Sequence, residues 1–97
     1  MEDFVYYGEL YDLYHELLTT KQKNYFEDYY FQNLSLGEMA ENYDVSRNAI
    51  FKQIHIVTGK LEEYEEKLQL FKKKKKLEEI SQSIDDLSIR KQLEELI

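Results

Sequence analysis

Residues able to do chemistry are few in this chain, and they are scattered. The two histidines, His15 and His55, fall in separate predicted helices with no spacing that suggests a shared metal. The acid pairs Glu62-Glu63, Glu65-Glu66 and Asp85-Asp86 are adjacent, so on a helix their carboxylates diverge by about 100° and read as solubilising faces rather than acid/base pairs. There is no cysteine and no glycine-rich phosphate loop. The sequence therefore predicts a binding protein, not an enzyme, with no cofactor and no metal. Its candidate binding residues are Arg47, Asn48, Lys52, Gln53 and His55, followed by the run Lys72, Lys73, Lys74, Lys75 and Lys76. Arg and Lys suit phosphates or guanine, and Asn and Gln can read adenine. Five successive lysines can contact RNA or anionic lipid, or simply form the solvated basic end of a helix, where cations complement the dipole.

The first of these groups sits in a recognisable scaffold over residues 35–57. Ser35 with Glu38 three residues later fits a capping box that opens a helix at about Leu36. Asn42-Tyr43-Asp44 supplies a tight bend, Val45 is expected to plug the corner, and Ser46 caps the next helix. With small Ala40 in the first helix and Ile50 and Ile54 four apart in the second, the stretch reads as a helix-turn-helix. The second helix of such a motif is the one that reaches a nucleic-acid groove.

Composition agrees with an all-α fold. The 97 residues contain no proline and only three glycines, and they suffice for one small domain, 1–97. Lack of cysteine, of a secretory signal and of an apolar run near the length of a membrane span leads us to expect a cytoplasmic protein with no membrane insertion. The net charge of −7 is segregated: residues 1–46 sum to −8, 47–76 to +5 and 77–97 to −4. An acidic total opposes indiscriminate DNA coating, whereas the local basic segment keeps a nucleic-acid site open.

Apolar spacing fills in the remaining elements. Phe4, Tyr7, Tyr11, Tyr14 and Leu18, interleaved with Leu10, Leu13 and Leu17, form one wide face of a first helix. Thr19-Thr20 offers a cap for a second, from about Lys21 to Gln32, with Tyr25, Phe26, Tyr29 and Tyr30 inward. Without interleaved basic residues these tyrosines read as core with wet tips rather than as base-stacking platforms. Ile50, Ile54, Val57, Leu61, Tyr64, Leu68 and Phe71 then continue an unbroken heptad stripe, which predicts one long helix over 47–75, with Gly59 as a site of bending or close approach. Its far half needs cover, from the C-terminal segment or from a second subunit; Leu61, Tyr64, Leu68, Phe71, Ile80, Ile84, Leu87 and Leu93 are the candidate dimer or tail-packing residues. A tail over 77–97 shifts phase near Ser88, which is expected to cap a short last helix.

The combination Leu17-Leu18-Thr19, Lys21-Gln22, Asn24-Tyr25, Tyr29-Tyr30, Leu34-Ser35-Leu36-Gly37-Glu38, Ala40-Glu41, Val45-Ser46-Arg47 and Ala49, then Leu61-Glu62-Glu63-Tyr64-Glu65-Glu66-Lys67-Leu68, resembles the YlxM family of small bacterial proteins over about residues 4–71. That family is in turn similar to region four of sigma factors, a four-helix module ending in a DNA-binding helix-turn-helix. The resemblance implies a sigma-region-four-like head and an accessory or regulatory role in the signal recognition particle pathway, with the particle's RNA and its GTPase as partners. Departures lie in the second helix of the motif. After the arginine the family pattern has glutamine, then a tyrosine with polar residues and a basic next turn; here His55 and Ile56 stand where charge would help a phosphate contact. Exposure of Phe51 or Ile56 on this helix would favour a protein-binding surface. The expectations are an RNA- or GTPase-binding adaptor, a DNA-binding regulator or a pure protein-interaction module, with a homodimer formed through the long helix or tail.

Overall fold

The computed structural model describes residues 3–97, in which six α-helices follow one another without a strand. Asp3 opens the first, its carboxylate accepting the Tyr6 N–H at 2.9 Å. This helix, α1, covers Phe4–Tyr14, and a 3₁₀ turn over His15–Leu17 ends it short of the predicted Leu18. The cause is the next cap. Thr19 and Gln22 form a capping box that needs extended backbone before it, so Leu18 leaves the helix at φ −95° and ψ 154°, turning its own side chain inward and Leu17 outward.

Helix α2, Thr20–Phe26, runs on into a π turn over Glu27–Phe31, and together they cover the predicted second helix. Its inner face is a stack of rings: Phe26 lies parallel to Tyr11 at 4.4 Å between centroids and stacks on Tyr30 at 4.3 Å. Asn33, at φ 58°, reverses the chain into α3, Leu36–Tyr43, whose capping box Ser35–Glu38 forms as the sequence predicts with both bonds at 3.0 Å. Asp44 closes α3 in the left-handed region, and Ser46 accepts the Ala49 N–H to start α4, Arg47–Leu68. These four helices make the expected head, closed around the fully buried Leu10, Tyr14, Phe26, Met39, Ile50, Ile54, Val57 and Leu61. Val45, the expected corner plug, is 41% exposed; Leu34, Leu36 and Ala40 pack against the core instead.

The long helix does not reach residue 75. It breaks at Gln69, which adopts φ 55° and ψ 34°, and α5, Leu70–Gln82, leaves in a new direction to pack on α1. Side chains from two other helices hold this corner. The Tyr14 hydroxyl donates to Glu65 Oε1 at 2.6 Å and accepts the Leu70 N–H at 3.0 Å, while Glu65 takes the N–H groups of Phe71 at 2.9 Å and Lys72 at 3.2 Å. The open amides of the α5 N-terminus are thus capped by a residue of α4 and a phenol of α1. Asp86, not Ser88, caps α6, Leu87–Glu94, accepting from Ser88 N and Ile89 N. Gly59 lies inside the unbroken helix α4 and admits no close neighbour, since a Cβ there meets nothing within 4 Å.

The stripe is therefore spent mostly inside the chain. Leu61 is buried in the head and Tyr64 packs against it, Phe71 turns onto Tyr6, and only Leu68, 45% exposed, is left without cover. Helix α6 folds back on α5, bringing Leu96 and Ile97 beside Leu13, Leu70 and Leu77. This pair buries little: Ile80 is exposed, Ile84 and Leu93 are half-buried, and Leu87 is 77% exposed. It projects from the head, giving extents of 55 × 25 × 22 Å and a radius of gyration of 16.9 Å, against about 13 Å for a compact chain of this length.

Candidate recognition site

Helix α4 owes its exposed face to its own periodicity. With Ile50, Ile54, Val57 and Leu61 locked into the head, residues rotated by half a turn must face out, and these are Asn48, Lys52, His55, Ile56 and Gly59, with Phe51 at the edge. Phe51 is 39% and Ile56 46% exposed, and the Phe51 ring meets His55 edge-on at 4.5 Å. The face is mixed, an aromatic and an aliphatic side chain set among Asn48, Lys52 and His55. Gln53 does not belong to it: it is half-buried and lies about 100° round the helix from Lys52. Arg47 is exposed at the first turn, but its guanidinium is folded against α3, where a Cβ on Gly37 would stand 3.0 Å from Arg47 Nη2. Glycine at 37 permits that approach.

Lys72–Lys76 occupy one and a half turns of α5, beyond the far end of α4. Since α4 is 22 residues long, about 33 Å of helix separates them from Arg47, so the two groups predicted as nucleic-acid contacts form two separate sites. The lysines themselves differ. Lys75 reaches Glu9 of α1 at 3.8 Å and lies 5.3 Å from the Phe71 ring centroid, and Lys74 is half-buried. Lys72, Lys73 and Lys76 project outward.

Sequence reasoning missed the polar framework that orients these surfaces. Four phenols of the head reach carboxylates on other elements: Tyr7 to Glu62, Tyr11 to Glu27, Tyr14 to Glu65 and Tyr43 to Asp28. Burial, then the Glu65 carboxylate, pushes the Tyr14 phenol up to about 12. Burial followed by Asp28 does the same for Tyr43, to about 12, and for Tyr7 the Glu62 bond leads and burial follows, again to about 12. Tyr11 is raised as well, by burial first and Glu27 second. Each carboxylate favours the protonated phenol because a phenolate would face a like charge. The available signal was the excess of Tyr over Phe, 9 to 5, at core positions, together with acids recurring every three or four residues along 62–66. His15 belongs to the same framework, with Nδ1 3.1 Å from the Tyr11 carbonyl oxygen.

Two capped helices joined by a left-handed corner, the second presenting a polar and apolar face to solvent, make this a helix-turn-helix protein. A family model described as "Putative helix-turn-helix protein, YlxM / p13 like" matches residues 1–97, and the chain belongs to that family. It is 48% identical over 86 residues, 89% of this chain and 78% of the relative, to a protein of the same family from Bacillus velezensis. It is likewise 44% identical over 88 residues, 91% of this chain and 80% of the relative, to the YlxM protein of Bacillus subtilis. A relative from Shouchella clausii is 55% identical over 64 residues, 66% of this chain and 59% of its own length. Among the described residues no helix is long and apolar enough to cross a membrane.

Proposed function

We propose that the protein is a non-enzymatic cytoplasmic adaptor of the signal recognition particle pathway, docking the particle's GTPase on the exposed face of α4 and touching the particle's RNA with α5. The family resemblance supplies the pathway. The observation that carries this division of labour is the exposure of Phe51 and Ile56 between Asn48, Lys52 and His55. Apolar side chains in that position gain from a protein surface and nothing from phosphates. The lysines of α5 are the denser positive charge, and they suit an RNA backbone. Titration of the purified protein with particle RNA and, separately, with the GTPase tests it: RNA binding must weaken with salt and with Lys72–Lys76 changed to glutamine. GTPase binding must instead depend on Phe51 and Ile56.

A DNA-binding regulator is the second reading, favoured by the cap at Ser46 that brings Arg47 and Asn48 to the leading turn of α4. Arg47 and Lys52 neutralise at most two phosphates there, a salt slope of only about 1.8. Under this reading Arg47→Ala lowers affinity for a selected site more than for random sequence. Homodimerisation is also proposed, through Leu87 and Leu96, which are 77% and 70% exposed on α6 and the strand of chain after it. Light scattering on the wild type and on a Leu87→Lys variant checks this; a wild-type monomer contradicts it.

A further inference from the structure

The fold assembles a site that the sequence keeps apart. Phe71, in the first turn of α5, sets its ring edge-on to Tyr6 of α1, with centroids 5.4 Å apart at 86°. Both are half-buried, and with Lys72, Lys75, Lys76 and Glu79 they line a groove of about 680 Å³. Tyr6 of the aromatic floor comes from α1, whereas Phe71 and the cationic rim belong to α5, so the second ring joins the basic segment only through the turn at Gln69. Lys75 is committed to Glu9 and to the Phe71 ring. Lys72 and Lys76 have no ammonium–carboxylate partner within 4.0 Å among the described residues. They stand one helical turn, about 6 Å, apart along one side of α5. Glu79 on the rim, and Asp3, Glu62 and Glu65 facing Tyr6, temper the positive field. Two free cations in such surroundings hold a phosphate chain weakly by charge alone, so a ligand that fits must also use the rings.

We propose that this groove binds single-stranded RNA, one unpaired base stacking on the face of one ring of the perpendicular Tyr6–Phe71 pair and meeting the other edge-on, with its flanking phosphates on Lys72 and Lys76. Every base has a face that stacks on an aromatic ring, and an unpaired base gives up no duplex stacking to do so. Duplex RNA offers the lysines its phosphates but keeps its bases from the rings, and an acidic peptide offers charge without a planar partner. The inference rests on the RNA contact proposed above for α5 and states which part of an RNA makes it.

The test uses the full chain and a short unstructured RNA carrying a fluorescent base analogue, the same sequence as a duplex, intact particle RNA, and vesicles of phosphatidylserine with phosphatidylcholine. Expected are single-strand binding at least tenfold tighter than duplex binding, and quenching of the base on binding. Phe71→Leu and Tyr6→Leu, on different helices and each keeping apolar bulk, are each expected to weaken it about 5- to 100-fold. Lys72→Gln with Lys76→Gln should reduce the log–log salt slope by about 1.4. Equal affinity for single strand and duplex, or both ring variants within twofold of wild type with unchanged circular dichroism, overturns the stacking site. Preference for the anionic vesicles over RNA overturns it too. If intact particle RNA still binds through the lysines while the ring variants bind the single strand normally, the groove fails and the broader RNA contact stands. Absence of binding to every RNA sinks both.

Discussion

Replacing Tyr14 by phenylalanine removes one oxygen atom from the corner that turns the chain at Gln69. The ring is 1% exposed and would stay in the core, so apolar packing is conserved and the change reports on the hydroxyl alone. That hydroxyl donates to Glu65 at 2.6 Å and accepts the Leu70 N–H at 3.0 Å. Loss of a hydrogen bond to a charged acceptor costs about 1.5–3 kcal/mol, and a stranded backbone N–H adds about 1 kcal/mol or more where water cannot reach it. The total, about 3 kcal/mol, is a large share of the stability of a domain this size. At roughly 4–8 °C per kcal/mol, Tm should fall by about 12–24 °C if head and hairpin unfold together. Thermal circular dichroism measures the global term, and amide hydrogen exchange at Leu70, Phe71 and Lys72 measures the local one. A hairpin that detaches by itself would lose exchange protection at those three amides with a smaller change in Tm. Tm within about 2 °C of wild type together with unchanged exchange would refute the claim that the Tyr14–Glu65 pair makes the corner.

Gly59→Ala should stabilise α4 by about 1 kcal/mol, because the added methyl meets nothing and the helix gains propensity; a loss of stability in denaturant unfolding would show an unseen contact there. Asp86→Ala should cost about 1 kcal/mol through loss of the α6 cap, whereas Ser88→Ala should be nearly neutral; the reverse order would return the cap to Ser88. Alkaline pH should unfold the head. Tyr7, Tyr14 and Tyr43 have phenols raised from 10.0 to about 12, so their contribution is intact below pH 10 and is lost as pH rises from 10 to about 12. Ultraviolet titration should find these phenols ionising late and together with loss of helix. Titration of all nine tyrosines near 10 with the helices intact would contradict it.

What the sequence disclosed was whatever depends on near neighbours. Ser35 with Glu38, the cap offered by Thr19-Thr20 and Ser46 before an apolar spacing of four are local signals, and the helix-turn-helix follows from the first and the last. The break at Gln69 was illegible because the stripe runs on through Leu68 to Phe71 and glutamine is a good helix former. The partners that stabilise the turn, Tyr14 and Leu70, stand 56 residues apart. A left-handed conformation is unremarkable for Asn33 or Asp44 but not for glutamine, and it persists at Gln69 because Glu65 and Tyr14 bind the amides beyond it. Burial of Leu61 was legible in its periodicity, but that it packs in its own head and not on a second copy was not. On the recognition face, exposure of Phe51 and Ile56 needed the helix's rotation, which only the core residues on its far side define. The groove at Tyr6 and Phe71 was the least legible of all, being made by two helices meeting across the turn.

The adaptor reading stands most directly on the face of α4. Isothermal titration of the full chain against the purified GTPase of the signal recognition particle, beside a Phe51→Asp, Ile56→Asp variant that leaves the buried side of α4 intact, measures it. Saturable binding by the wild type and at least a tenfold loss in the variant are expected, with RNA binding through α5 unchanged. Equal binding of the GTPase by both proteins, or binding by neither, would contradict it.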